Sequence, residues 1–325
     1  MPHTILVYGW YGQGNVGDEL FKEAFRHLFP EYQFIFSDRI TKDLLKETSA
    51  VFIGGGSFLF APLKIESDAL ELLKTKKLFY IGVGSETDIH TNHLELMKIA
   101  KLIAVRSSVN LDNIISVNQN TLVIPDIVYS LQSSIQKNYP RDKSVLIMAN
   151  TAVVPNWSDP HWKHAAWNYF KSEFAQFLDI LVDSKYSINF FAMCQNKKTD
   201  DHYAAIEIIN YMKNKNTKLL WNNSLGDIGE ITNILSQYSV IITQRFHGIV
   251  LAEMIKTPYI SLYHHDKLKN CSPSNGAFLS YYGISKAQLL SNFNDAQNKL
   301  SAFIPIEANI FEVLRESVIG LINDG

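Results

Sequence analysis

Eleven short runs rich in β-branched and aromatic residues are strung along this 325-residue chain, and helix-patterned stretches fill the intervals. The runs fall at residues 4–8, 33–37, 50–53, 78–81, 102–105 and 121–124, then at 144–149, 187–193, 218–221, 240–243 and 259–262. Between them apolar residues recur at three- and four-residue spacing, as in Leu20, Ala24, Phe25 and Leu28, or Phe170, Phe174, Phe177 and Leu181. Parallel strands need a long crossover where antiparallel ones need only a tight turn. Alternation of this kind therefore predicts parallel sheets with helices on both faces. A polar, turn-rich connection divides the series: Gln132-Ser133-Ser134, Lys137-Asn138 and Pro140, within residues 130–142. The expected fold is α/β, with two doubly wound domains of similar size, residues 1–134 and 142–304, and a cleft between them. The amphipathic segment 305–322 predicts a helix, and residues of about 305–325 are expected to pack back on the first domain.

Composition narrows the function classes. Hydrophobic residues make up 46% of the chain and charged residues 19%, a globular profile. A net charge of −2 argues against a nucleic-acid binder, which carries a basic excess. The two cysteines, Cys194 and Cys271, lie too far apart for a metal-ligand motif and are expected to be free thiols of a reducing compartment. Met1-Pro2-His3 runs straight into a strand pattern without a signal peptide, no window offers the roughly 20 apolar residues a membrane span needs, and no lipidation motif is evident. A cytoplasmic protein is expected, and a peripheral visit to the inner membrane face is compatible with the sequence. Oligomeric state is not legible.

In an open parallel sheet ligands collect at the carboxyl ends of strands. The first strand runs into Gly9-Trp10-Tyr11-Gly12-Gln13-Gly14-Asn15-Val16-Gly17-Asp18-Glu19, whose glycines permit left-handed turns and leave N–H groups facing an anion. Gly12, Gly14 and Gly17 fit the bare dinucleotide-binding spacing, but only Asp38 offers an acid after the second strand, so that signal is weak. Asp18 and Glu19 either favour the helix dipole or orient a ligand hydroxyl. Gly54-Gly55-Gly56-Ser57 and Gly82-Val83-Gly84-Ser85 close the third and fourth strands; Arg106-Ser107 and Pro125-Asp126 follow the fifth and sixth. Arg106 is suited either to a carboxylate ligand or to a scaffold pair with Asp126. In the second half, Val240-Ile241-Ile242-Thr243 leads into Gln244-Arg245-Phe246-His247-Gly248 and a helical pattern. A guanidinium and a titratable imidazole thus sit at a helix N-terminus, a place that favours anions. Arg245 has the planar fork for a phosphate or carboxylate, and His247 a proton to move near neutral pH.

These motifs, in this order, resemble the polysaccharide pyruvyl transferases. The likeness is carried by the glycine-rich string at 9–19, Gly54-Gly55-Gly56-Ser57, Pro125-Asp126, and Arg245-x-His247 followed by Ala252-Glu253 and Thr257-Pro258. It implies two Rossmann-like domains in a GT-B-like arrangement, phosphoenolpyruvate as donor with no further cofactor, and a hydroxyl pair of a cell-surface glycan or its precursor, free or lipid-linked, as acceptor. Arg245 and His247 fall on the family's donor-binding and catalytic positions, and Lys267 where many members carry a lysine. Two departures stand out: Ser107 replaces an acid, and His264-His265-Asp266-Lys267 replaces Tyr-Asp-Pro-Lys.

Donor-site candidates are therefore Arg245, Gly248, Lys267, Gly12, Gly14 and Asn15. Acceptor candidates are Asp18, Glu19, Gly55, Gly56 and Ser57, joined by Trp157 and His161 from the aromatic segment that also holds Trp162, His164 and Trp167. Trp167, in helical register with Phe170 and Phe174, is expected in the core. His161/His164 and His90/His93 have helix-compatible metal spacing but no evident third ligand, so surface histidines and no metal are expected. Lys74, Lys76 and Lys77 suggest a solvated helix end. A nucleotide-sugar glycosyltransferase and a non-catalytic glycan-binding relative are the competing readings, because one fold hosts many functions.

Overall fold

Every strand pairing between named strands is parallel, as the alternation requires. The computed structural model describes residues 3–135, 142–150, 160–197, 200–220, 226–263, 277–280, 283–298, 306 and 309–324. The first half runs β1 (Thr4–Tyr8), α1 (Val16–Leu28), β2 (Gln33–Ser37), α2 (Lys42–Lys46), β3 (Ala50–Gly56) and α3 (Leu70–Lys74). It continues with β4 (Lys77–Val83), α4 (Thr91–Met97), β5 (Leu102–Val105), α5 (Leu111–Val117), β6 (Thr121–Val123) and a 3-10 helix, Ile127–Ser134. The second half runs β7 (Ser144–Met148), α6 (Pro160–Asp183), β8 (Ser187–Phe191), α7 (Asp201–Tyr211), β9 (Lys218–Leu220) and α8 (Ile228–Leu235). Then come β10 (Val240–Thr243), α9 (Phe246–Met254), β11 (Tyr259–Tyr263), β12 (Ala277–Ser280), α10 (Lys286–Asn298) and α11 (Asn309–Asn323).

The chain divides into two compact units, one made of Met1–Gln13, Gly17–Ser133 and Ile306–Gly325, the other of Gly14–Val16 and Ser134–Pro305. Each holds one six-stranded sheet, ordered β2-β1-β3-β4-β5-β6 in the first and β12-β11-β10-β7-β8-β9 in the second. Strand order reverses between β1 and β3, and between β7 and β10. Right-handed crossovers then leave on opposite faces and open a crevice at the carboxyl ends.

In the first unit Phe52 of β3 is the hub of an aromatic core. Its ring lies 5.3 Å from Phe79, 5.7 Å from Phe29 and 5.9 Å from Phe25. These rings bring together α1 and its C-terminal extension, β3 and β4, and all four are fully buried. β3 continues as a strand through its glycines to Gly56, beyond the turn expected at Gly54, because the ladder with β4 persists there. β4 runs on through Gly82, whose φ of +69° accompanies a shift of register against β5. Lys76 and Lys77 are not the solvated helix end expected of them. Lys76 Nζ donates to Thr48 O at 2.6 Å. Lys77 Nζ donates to Ile322 O at 2.7 Å and Asp324 O at 3.1 Å, satisfying carbonyls at the end of α11. Phe311, Leu314, Val318 and Ile322 bury the inner face of that helix.

In the second unit Trp167, Phe170 and Phe174 stack in turn along α6, with ring centroids 5.6 and 5.1 Å apart, and enter the core with Phe177 and Leu181. Phe293 of α10 meets Phe177 edge-on at 5.9 Å. β12 has no counterpart among the expected strands. Ala277-Phe278-Leu279-Ser280 holds no β-branched residue to announce a strand, and pairing with β11 at the sheet edge decides the matter. Among the described residues no helix is long and apolar enough to cross a membrane.

Replacing Phe52 by alanine should lower the stability of the first unit by about 3–5 kcal/mol, since a large ring at the centre of a closed aromatic cluster leaves a cavity. Urea denaturation of wild type and variant, followed by aromatic circular dichroism, measures the loss.

Candidate functional site

At the second switch point β10 lies between β7 and β11, with Thr243 opposite Met148 on one side and Ser261 on the other. The chain leaves β10 through Gln244, whose side-chain carbonyl accepts from Asn150 N at 2.8 Å and so joins the two strand ends. Arg245 is extended (φ −110°, ψ 134°) and takes the N-cap position of α9. Thr243 Oγ1 accepts from Arg245 N at 2.9 Å and donates to Arg245 O at 3.0 Å, which sets the turn. Gly248 is then forced by packing: a Cβ there would collide with Thr243 Oγ1 and lie 2.8 Å from Met148 Sδ. The first turn of α9 is thereby pressed onto the strand ends. His247, half-buried, packs its ring edge-on to Phe246 at 5.1 Å.

Arg245 meets a partner that the motifs did not announce. Its Nε donates to Asp201 Oδ2 at 3.0 Å and its Nη2 to Asp201 Oδ1. Asp201, the first residue of α7, is 2% exposed and also accepts from Met193 N at 3.1 Å and Cys194 N at 2.9 Å. Burial pushes its carboxyl above the usual range, while Arg245 and the two backbone N–H groups pull the other way. Gly14, Asn15 and Val16 belong to this same unit. Val16 N donates to Met193 O and Gln195 N to Gly14 O, each at 2.8 Å, and Asn15 bridges Cys194 antiparallel. Gly14 takes a φ of +71° as it does so. Candidate donor residues Gly14, Asn15, Arg245 and Gly248 are thus gathered in one unit with the segment that holds Asp201.

The first unit's switch point is built differently. Gly12 N donates to Glu19 Oε1 at 2.6 Å, and Glu19 Oε2 pairs with Lys22 at 2.5 Å, so Glu19 ties the glycine-rich turn to α1. Gly55 (φ +74°) has the ring of Phe21 2.5 Å from where a Cβ would stand, and the equivalent point at Gly56 (φ +110°) is 3.3 Å from Asp18 Oδ1. Asp18, Gly55 and Gly56 therefore meet where β1 and β3 end. Ser57 is engaged in a buried cluster: its Oγ accepts from Arg106 Nη2 and donates to Glu86 Oε2 at 3.3 Å. Arg106 also donates from Nη1 to Asp126 Oδ2 at 2.9 Å and lies 3.5 Å from Glu86. Of the two roles open to Arg106, the pair with Asp126 is the one observed.

Residues 15–266 match the family model described as polysaccharide pyruvyl transferase. The chain belongs to this family. It is accordingly a transferase of polysaccharide modification, with a saccharide as acceptor. Among solved structures it is similar to a putative UDP-N-acetylglucosamine 2-epimerase from Listeria monocytogenes, with a TM-score of 0.60 at 12% identity, covering 99% of this chain and 97% of that one. The UDP-GlcNAc 2-epimerase of Methanocaldococcus jannaschii, in complex with UDP-GlcNAc and UDP, gives 0.58 at 10% identity, with 98% and 99% covered. The S. aureus MnaA–UDP structure gives 0.59 at 13%, with 99% and 97% covered. Likeness at such identities is one of fold, and the fold is GT-B-like, built from two Rossmann-like domains. No curated protein sequence matches significantly.

For this pyruvyl transferase family member, the span matched by the family includes Arg245, His247 and Asp201, whereas Gly12, Gly14 and Lys267 fall just outside it. Lys267, His264, His265, Asp266, Trp157 and Cys271 lie outside the described residues. His161, His164 and Trp162 are exposed in the first turns of α6, and Cys194 is a buried free thiol. Among the described residues no group of three or more His, Cys, Asp or Glu is arranged to hold a metal. The sequence offered one clue to Asp201, an Asp-Asp pair ahead of a helical pattern, and none to Glu86.

The expectation of surface histidines fails at His93. His90 caps α4 by accepting from Asn92 N, whereas His93, one turn on, is fully buried. Its Nε2 donates to Ala61 O at 3.0 Å and its Nδ1 accepts from Tyr80 Oη at 3.3 Å, an arrangement that suits the neutral ring. Burial drives its pKa down to about 4. An unfolded histidine takes up its proton near pH 6.5, so the native state falls behind in bound protons between pH 6.5 and 4. His93 should leave stability intact above about pH 6.5 and remove on the order of 3 kcal/mol as pH falls to about 4. Denaturation midpoints across this range should decline less steeply for His93→Gln.

Proposed function

We propose that this chain moves the pyruvyl group of phosphoenolpyruvate onto two hydroxyls of one sugar, in a cell-surface polysaccharide or its precursor, forming a ketal and releasing phosphate. The observation that carries the proposal is the Arg245-x-His247 pair at the N-terminus of α9, at the second sheet's switch point and inside the span that matches the family. The reaction adds a proton to the methylene carbon of the enol, which becomes a methyl group. One sugar hydroxyl bonds to the neighbouring carbon, phosphate leaves that carbon with its bridging oxygen, and the second hydroxyl closes the ring. The two hydroxyl protons balance the one delivered to carbon and the one carried off by phosphate and solvent.

Charge shifts between the phosphate and the reacting carbon in the transition state, so donors and cations already in place lower the barrier most. Arg245 supplies a cation beside the amide N–H groups of α9, and Gly248 keeps that helix start close to the strands. His247 is assigned the proton transfer, as general acid to the methylene or general base to a hydroxyl. Gly12, Gly14, Asn15 and Lys267 are assigned to the donor. Asp18, Gly55 and Gly56 are assigned to the sugar, together with Trp157 and His161. Glu19 and Ser57, the two further acceptor candidates, act through the turn and the ion cluster they hold. A cytoplasmic setting, with or without docking at the inner membrane face, suits a soluble donor and a lipid-linked or free acceptor.

Incubation with phosphoenolpyruvate and a panel of galactose, glucose and N-acetylmannosamine acceptors tests the reading. An acceptor mass gain of one pyruvate minus water, matched by released phosphate, is expected. The complex of the M. jannaschii relative with UDP-GlcNAc and UDP favours a second reading, a nucleotide-sugar glycosyltransferase. Release of UDP or GDP from nucleotide sugars, without consumption of phosphoenolpyruvate, would establish that one. Ligand binding without turnover would mark a non-catalytic glycan binder. His247→Ala should lower turnover about a hundredfold or more, and near-normal turnover in that variant would reject the role given to His247.

A further inference from the structure

The contact between Arg245 and Asp201 bears on how the donor is held, provided that Arg245 is the donor residue proposed above. A guanidinium on a long side chain has many rotamers, and an anion that must order it loses affinity to that ordering. Here the ordering is already done. One edge of the Arg245 fork, Nε and Nη2, is engaged by Asp201, leaving the arginine side chain 17% exposed and the aspartate side chain 1%. Asp201 is itself fixed by Met193 N, Cys194 N and its place at the start of α7, where its own N–H donates to Cys194 O at 2.9 Å. The carboxylate is thus immobile from three sides.

We infer that Asp201 is the positioning residue for Arg245: it sets the plane and direction of the guanidinium at the N-terminus of α9 before the donor arrives. Coulomb's law and positioning make opposite forecasts here. A negative charge beside the guanidinium repels phosphoenolpyruvate, so neutralising it should tighten binding if charge alone mattered. If orientation dominates, neutralising it weakens binding.

Asp201→Asn separates the two, because its side-chain oxygen can keep the bonds from Met193, Cys194 and Arg245 Nε while the bond to Nη2 and the charge are lost. Calorimetric titration of the folded protein with phosphoenolpyruvate, for wild type, Asp201→Asn, Arg245→Lys and the double variant, is the experiment. We expect Asp201→Asn to raise Kd about tenfold, the worth of one charge-assisted hydrogen bond. We expect Arg245→Lys to raise it at least as much, and the double variant to be no worse than Arg245→Lys alone. Asp201→Glu, which keeps the charge on a longer stem, should recover part of the loss and stands in if the asparagine variant fails to fold. A Kd for Asp201→Asn equal to or tighter than wild type overturns the inference while leaving Arg245 in its role, and so do fully additive losses in the double variant. An unchanged Kd for Arg245→Lys overturns the donor role of Arg245 and the inference with it.

Discussion

Asp201 is almost wholly withdrawn from water, and a carboxylate in that position is tolerable only when its lone pairs are met by donors. It meets them from Met193, Cys194 and both Nε and Nη2 of Arg245. One group therefore joins the loop after β8, the first turn of α7 and the junction between β10 and α9. The sheet alone does not align these pieces, since β8 and β10 are not neighbours but flank β7. The direction of the Arg245 guanidinium follows from that bond set, and with it the chemistry that the second unit can offer.

The first unit shows the other use of a strand-end arginine. Arg106 has two carboxylates around it, Glu86 and Asp126, with the Ser57 hydroxyl between, and the side chains of all three charged residues are 1% exposed. Two acids to one base, closed from solvent, make a brace rather than an anion site. It pins the ends of β3, β4, β5 and β6 together. Among the described residues Arg245 pairs with the carboxylate of Asp201, and it keeps some exposure. Two guanidiniums at strand ends thus differ in depth of burial, the one closed off among Glu86, Asp126 and Ser57 and the other partly open beside Asp201.

Much of this was legible in the sequence. Alternating β and α runs sufficed for two parallel sheets, and the glycine-rich string after Tyr8 marked where β1 ends, because strand period and glycine placement are local properties. At β3 the ladder with β4 carried the strand on through the glycines. The helix start at Arg245 and the stacked Trp167, Phe170 and Phe174 were visible for the same reason. Long-range pairing was not. Asp201 reaches Arg245 across 44 residues and Arg106 reaches Ser57 across 49, and nothing in the local pattern records either bond. His93 looked like a surface histidine since only the tertiary contacts with Ala61 and Tyr80 make it a core residue. β12 escaped because an edge strand without a β-branched residue is chosen by its neighbour.

The return of α11 to the first unit has a temporal meaning. Strand β1 leaves the ribosome long before α11, and the partner of Lys77 in that same unit, the carbonyl of Ile322, emerges only after the entire second sheet has been synthesised. The first unit lacks part of its apolar cover until Phe311, Leu314, Val318 and Ile322 arrive. Its completion is thereby tied to the appearance of those four side chains.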